Sequence, residues 1–224
     1  MKGYYKKKLA ADRLLACYEI APLRVKAYLE AEIAFVLQRT SSSQAVLELG
    51  CGCGRVLKRV AEHVEIVFGI DTSLESLRFA RGFLGKDRPV RLLLMDAAQM
   101  GFAKRKFDLT FCIQNGICAF AVDRKRLFAE ALRVTRRGRS VLFSTYSPRF
   151  WNDRLEWFEL QAAHGLLGEI DRQATREGVI VCKDGFRATT SDAEEFQSLA
   201  ADHGLIPRIV EVDGSSLFCE VLAP

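Results

Sequence analysis

Three glycines at alternate positions, Gly50, Gly52 and Gly54, follow the apolar run Ala45 to Leu49 and precede Val56, Leu57, Val60 and Ala61 at helical spacing. A buried strand that ends in a glycine turn and opens a helix is how an open α/β sheet builds a nucleotide cradle at the carboxyl edge of its strands. Glycine suits such a turn because the backbone bends sharply and lies against a ligand, where a Cβ would collide. A carboxylate belongs on the next strand. Val67-Phe68-Gly69-Ile70-Asp71 supplies it, with Asp71 about 20 residues beyond the turn, the separation at which an acid meets ribose hydroxyls. The same residue also suits the N-cap of a helix over 73–84.

The glycine spacing separates two chemistries. A dinucleotide fingerprint, G-x-G-x-x-G, needs glycine at position 55, where this chain has Arg55, and Gly54 comes one residue early. That makes an NAD-dependent oxidoreductase the weakest reading. The run from Glu48 to Gly54 is spelled E-x-G-x-G-x-G, and at this point the chain resembles the class I methyltransferases, which bind S-adenosylmethionine. The resemblance spans roughly residues 45–146 and 192–222.

That resemblance implies a set of roles. Glu48 would help to hold the methionine ammonium, although a strand carboxylate bonding nearby amides is an equal reading. Gly50, Cys51, Gly52 and Gly54 would lie along the methionine part and ribose, and Asp71 would accept the ribose hydroxyls. Asp96, or a helix cap at that position, would meet the adenine amino group, with the Ala97 amide on a ring nitrogen and Thr72 and Met100 beside the ring. Carbonyls of Ile113 and Gln114 would meet the methionine amine, while Gln114 and Asn115 stand at the rim as catalytic candidates. Asn115-Gly116 also reads as a simple turn. The proline-rich version of this motif, used on exocyclic amines of bases, is missing here.

Methyl transfer from a sulfonium is an in-line displacement with an activated leaving group. The protein mainly aligns the reactants and excludes water, so a conspicuous acid–base constellation is not required. For the acceptor, Tyr146, Trp151 and Trp157 are candidate pocket residues, with core packing the simpler account for most of them. Tyr4 and Tyr5 are candidates to close over the site, and His164 is a candidate base. The leading expectation is a methyltransferase for a small-molecule acceptor. Alternatives are a tRNA or rRNA methyltransferase and a non-catalytic relative that binds S-adenosylmethionine.

These residues need a scaffold. Apolar periodicity over 9–38, split at Pro22, predicts two N-terminal helices, with 1–44 forming a lid. Strands at 45–49, 66–70, 90–94, 107–113 and 140–146 alternate with helices at 53–63, 73–84 and from Asp123 to Val134, the last stopped by Gly138; a short helix is expected at 97–100. Residues 192–222 read as a helix capped by Asp192 and a strand pair joined at Asp213-Gly214. The expected fold is a doubly wound, mostly parallel seven-stranded α/β sheet with a reversed last strand, occupying 45–224. Residues 147–190 read as a small α+β cap insertion: an aromatic-rich helix over 150–167, then a hairpin of 170–176 with 179–182.

Bulk properties set looser bounds. The 224 residues are 49% apolar, enough for one domain with a sizeable core. A net charge of +5 is compatible with acidic ligands or RNA without being diagnostic. Arg124-Lys125-Arg126 and the stretch Arg133 to Arg139 read as a solvated basic face, with an RNA-facing patch as the alternative. Seven cysteines is an odd count, and Cys51-x-Cys53 without a second ligand cluster makes a poor zinc site, so no metal is expected. Neither a signal peptide nor a run of about 20 apolar residues is visible. The expectation is a cytoplasmic monomer or homodimer away from membranes, with nucleic acid a possible but unfavoured partner.

Overall fold

The computed structural model describes residues 4, 8–42, 44–85 and 88–224. Its centre is a sheet of seven strands, β1 (Ala45–Leu49), β2 (Ile66–Asp71), β3 (Val90–Leu94), β4 (Phe107–Cys112), β5 (Thr135–Tyr146), β8 (Arg208–Val212) and β9 (Ser216–Leu222). They lie in the order β3-β2-β1-β4-β5-β9-β8. Neighbours from β3 to β5 run parallel, and β9 runs antiparallel to both β5 and β8, so one strand is reversed, the last, as the sequence implies. The order changes direction between β1 and β4. At such a switch point the connections leave to opposite faces and open a crevice.

Both faces are covered, and the short α5 (Gly116–Ala119) follows β4. Leu127, Phe128 and Ala131 of α6 (Arg124–Val134) and Phe196, Leu199 and Ala200 of α8 (Ala193–Ala201) form one core with the sheet. Ile33 and Val36 of α2 (Leu23–Leu37), Val56, Leu57 and Val60 of α3 (Arg55–Val60), and Leu77, Ala80 and Leu84 of α4 (Leu74–Leu84) form the other. Because each face is buried, the inner strands read as continuous apolar runs; all six residues of β4 are buried. Side chains cap the helices. Ser73, rather than Asp71, is the N-cap of α4, its Oγ accepting the Ser76 amide; Asp123 accepts those of Lys125 and Arg126, and Asp192, as predicted, accepts that of Glu195.

A third core joins the N-terminal helices to residues 146–188. Cys17 of α1 (Ala11–Glu19) and Val25, Tyr28 and Leu29 of α2 pack with Tyr146, Phe150, Trp157, Phe158, Ile180 and Phe186. Polar ties support it: Trp157 Nε1 donates to the Cys17 carbonyl at 2.8 Å, and Arg13 Nη2 to that of Gly165 at 2.7 Å. Pro22 separates α1 from α2, as predicted, and serves as the N-cap of α2.

Three local expectations differ from the structure. Residues 97–99 form a turn rather than a short helix: Asp96 Oδ1 takes the Ala98 amide at 2.8 Å, and Glu130 captures the Met100 amide at 2.7 Å, drawing the chain out of helical register. Helix α6 ends at Val134, before Gly138, because Thr135 turns extended and its Oγ1 returns to the Ala131 carbonyl at 2.7 Å. Strand β5 therefore starts at Thr135, and Gly138, at φ +71°, lies within it at a register shift. Residues 170–182 supply only single bridges, Ile170 to Cys182 and Arg176 to Val179. Asp171 curls the first arm by accepting the amides of Gln173 and Ala174, and β6 (Ile180–Val181) instead pairs with β7 (Arg187–Ala188).

Candidate functional site

The turn after β1 is built almost entirely of backbone. Gly50, Gly52 and Gly54 have φ of +74°, +51° and +82°, a region that side-chain-bearing residues rarely adopt. The amides of Gly50 and Cys51 both reach the Ile70 carbonyl, at 2.8 and 3.0 Å, tying the turn to β2. Asp71 fastens it from the other side, with Oδ2 accepting the Gly52 amide at 2.9 Å and Oδ1 that of Ser73 at 2.7 Å. Side chains wall the turn: a Cβ added at Gly50 would lie 2.3 Å from Phe120 Cζ, and one at Gly52 would lie 2.8 Å from Leu14 Cδ2.

Beneath the turn, Glu48 is buried, and its Oε2 has no hydrogen-bond partner among the described residues. Burial pushes its carboxyl up to about 8, against the pull of the Arg55 guanidinium and with a further push from Asp71. Arg55 opens α3 with its guanidinium 4.7 Å from the Tyr18 ring centre, and its Nε and Nη2 are likewise buried without a partner among the described residues. A buried, unpaired carboxylate oxygen and two buried guanidinium N–H donors are each costly to leave unmet. Together they match the ammonium and carboxylate of an amino-acid end. The residues therefore fit the methionine part of S-adenosylmethionine.

A proton-linked effect follows. Because the folded pKa of Glu48 lies above the ordinary carboxylate range, the folded chain retains a proton that the unfolded chain releases. Stability is full at low pH and falls as pH rises from about 4.5 to about 8. Glu48→Gln is expected to raise the melting temperature of the ligand-free chain at pH 8 by at least about 3 °C, the response to about 1 kcal/mol, and to have little effect at pH 4.5. Calorimetric melts at both pH values check this; equal shifts at the two would refute it.

The remaining predicted residues divide by location. Glu48 is in register with Gly69 and Phe111, so the ends of β1, β2 and β4 bring Glu48, the glycine turn, Asp71, Ile113 and Gln114 to one edge. Asp96 is one strand further out, beyond β3, where the Met95 amide bonds the Asp71 carbonyl at 3.0 Å; Ala97 and Met100 are buried beside it, and Thr72 is exposed. Asn115 is buried, accepts Thr145 Oγ1 at 2.9 Å and donates to the Thr189 carbonyl at 2.9 Å. Tyr146 is buried at the end of β5 with its ring 5.2 Å from Tyr28 and the Arg154 guanidinium 4.6 Å away; burial pushes its hydroxyl up to about 12. Trp157 lies in the third core, and Trp151 is partly buried against it. Tyr4 donates to Asp184 at 2.7 Å and packs on Phe186, whereas Tyr5 is outside the described residues. His164 is exposed just past the end of α7 (Trp151–Ala163), its Nδ1 2.8 Å from the Leu160 carbonyl. Burial raises the thiols of Cys51 and Cys53, leaving both poorly nucleophilic.

Sequence reasoning missed Glu32, Tyr28, Phe120 and the part played by Arg55. A signal existed for Glu32. It is a carboxylate among Tyr28, Leu29, Ile33 and Val36 on a stripe that is otherwise apolar, and it is wholly buried. Its Oε2 accepts the Gln114 amide at 2.6 Å.

Residues 46–138 match a family described as a methyltransferase domain. The matched stretch, which carries the glycine turn and Asp71, is similar to the domain of the S-adenosylmethionine-dependent class I methyltransferases. Among curated proteins, the chain is similar to the malonyl-[acyl-carrier protein] O-methyltransferase of Hamiltonella defensa, 34% identical over 122 residues, covering 53% of this chain and 45% of that one. It is also similar to the ubiquinone biosynthesis O-methyltransferase of Coxiella burnetii, 24% identical over 141 residues, covering 62% and 56%. The chain thus matches about half the length of these curated relatives. A solved Pyrococcus horikoshii protein shares the fold along 100% of both chains, with a TM-score of 0.68 and 19% identity.

Proposed function

We propose that this chain transfers a methyl group from S-adenosylmethionine to a small-molecule acceptor by in-line displacement. The observation that carries the reading is that Glu48 Oε2 and the Arg55 Nε and Nη2 donors are all buried and unmet among the described residues, at the foot of a side-chain-free turn. When bound, S-adenosylmethionine supplies a methyl group on a positively charged sulfur. On the protein's side, Glu48 would hold the ammonium, Arg55 the carboxylate, and Asp71 the ribose hydroxyls. Asp96 and the Ala97 amide would read the adenine edge. Leu14 and Phe120, walling the turn, would exclude water.

The acceptor would enter beside Tyr146, where the fifth strand opens toward this edge. In this reading residues 1–44 act as a lid and 147–190 as a cap, and the apolar core they share supports their moving as one cover. Gln114, Asn115 and Tyr146 remain the residues to test for a part in the transfer itself. The O-methyltransferase names of the two curated relatives favour an oxygen acceptor. Among the described residues no helix is long and apolar enough to cross a membrane. A cytoplasmic setting would suit seven free thiols.

Incubation with methyl-labelled S-adenosylmethionine and a metabolite extract tests this directly. Label is expected in a small, extractable product. Label recovered in RNA would instead favour the nucleic-acid reading, and binding of S-adenosylhomocysteine without any transfer would favour a sensor.

A further inference from the structure

The segment after β4 carries a feature that cofactor binding alone does not explain. Gln114 and Asn115 are consecutive non-glycine residues with φ of +58° and +60°. Glutamine rarely adopts this conformation and asparagine does so more readily; two such residues in succession persist where surrounding groups enforce them. Four groups hold the two residues here. Glu32 from α2 and Ser144 from β5 share the Gln114 amide, at 2.6 and 2.9 Å. Thr145 donates to the Asn115 side chain, which itself donates to the Thr189 carbonyl. The Gln114 side-chain Nε2 is buried with no partner among the described residues.

Of these restraints, Glu32 is the unusual one. A carboxylate is wholly buried on a helix that precedes the sheet, 82 positions from the amide it holds. Burial pushes it up to about 7, while the neighbouring Ser216 and Ser144 hydroxyls, the Gln114 amide and the Arg55 guanidinium pull it down. A leucine there would extend the apolar stripe and avoid the desolvation.

We infer that Glu32 is a positioning residue for methyl transfer: its oxygen holds the Gln114–Asn115 turn in the left-handed form that presents the Gln114 side-chain amide to the cofactor's amino-acid end. This rests on the methyltransferase reading. It also means that the N-terminal helices do more than cover the site, since α2 reaches through to fix its floor.

The test is calorimetry of the full chain with S-adenosylhomocysteine, alongside amide hydrogen exchange at Gln114 in the ligand-free protein. Glu32→Gln retains an oxygen at the same reach; Glu32→Asp retains the charge but withdraws it; Glu32→Leu removes the acceptor. Affinity is expected to fall about 30-fold in Glu32→Leu and about 10-fold in Glu32→Asp, and to stay within about 3-fold of wild type in Glu32→Gln. Exchange at Gln114 should accelerate in the same order. If Glu32→Leu fails to fold, the contrast between the Gln and Asp variants still decides. Equal binding by wild type and the Asp and Leu variants overturns the inference, as does a Gln variant no better than Asp. A wild-type chain that does not bind S-adenosylhomocysteine overturns the methyltransferase reading, and this inference with it.

Discussion

Asp71→Ala is expected to lower the affinity for S-adenosylhomocysteine by at least about 100-fold. Two charge-assisted bonds are removed at once, to the amides of Gly52 and Ser73. Each such bond contributes about 1.5–3 kcal/mol, and the ribose contact proposed for the same carboxylate would go with them. The loss therefore has two parts, a loosened turn and a missing ligand contact. Asp71→Asn separates them, because an amide oxygen can still accept one backbone N–H while the side chain cannot accept through both arms. Calorimetry should rank wild type, Asn and Ala in decreasing affinity, with cooperative unfolding retained in all three. An alanine variant that binds like wild type would sink the assignment of Asp71 and weaken the whole cofactor reading.

Gly50→Ala should be as severe, for a steric reason. The new methyl would sit 2.3 Å from Phe120 Cζ, on a backbone at φ +74°. Left-handed strain of about 1–2 kcal/mol adds to overpacking of about 1–3 kcal/mol, so the variant is expected to be about 2–5 kcal/mol less stable and to lose measurable S-adenosylhomocysteine binding. The two costs are separable. Phe120→Ala in the Gly50→Ala background should recover the crowding share and leave the conformational share, giving a coupling of about 1 kcal/mol or more between the positions. Denaturant melts of the four proteins in that cycle measure it. Additive losses would show that the ring is not what confines the turn.

Much of this architecture is legible in the chain itself. The run Val46 to Leu49, the three glycines and Asp71 identify one strand, one turn and the next strand because each meets a strict local requirement: burial on both faces, positive φ, and a carboxylate at a strand end. The alternation that follows predicts a parallel sheet, and the Asp213-Gly214 turn predicts its reversed partner. Errors arose where a distant side chain overrode local preference. Nothing near Met100 announces that Glu130 captures its amide, and nothing near Arg137 shows that Thr135 turns extended and bonds the distant Thr110 hydroxyl, leaving Gly138 within a strand. The same holds at the site. Arg55 reads from spacing only as a missing glycine, and the contact of Glu32 with Gln114 joins residues whose separation in sequence carries no periodic signal.

The place of β9 has a consequence for how the protein is made. The strand lies between β5 and β8, so during synthesis β5 leaves the ribosome long before the strand that covers its free edge. Until residues 216–222 emerge, the backbone of Ser140 to Tyr146 offers unsatisfied hydrogen-bonding groups on one side. A nascent chain stalled in that interval displays a template for intermolecular strand pairing, and such incomplete sheets aggregate. The closing hairpin therefore removes this exposed edge, and a chain truncated before residue 216 is expected to aggregate.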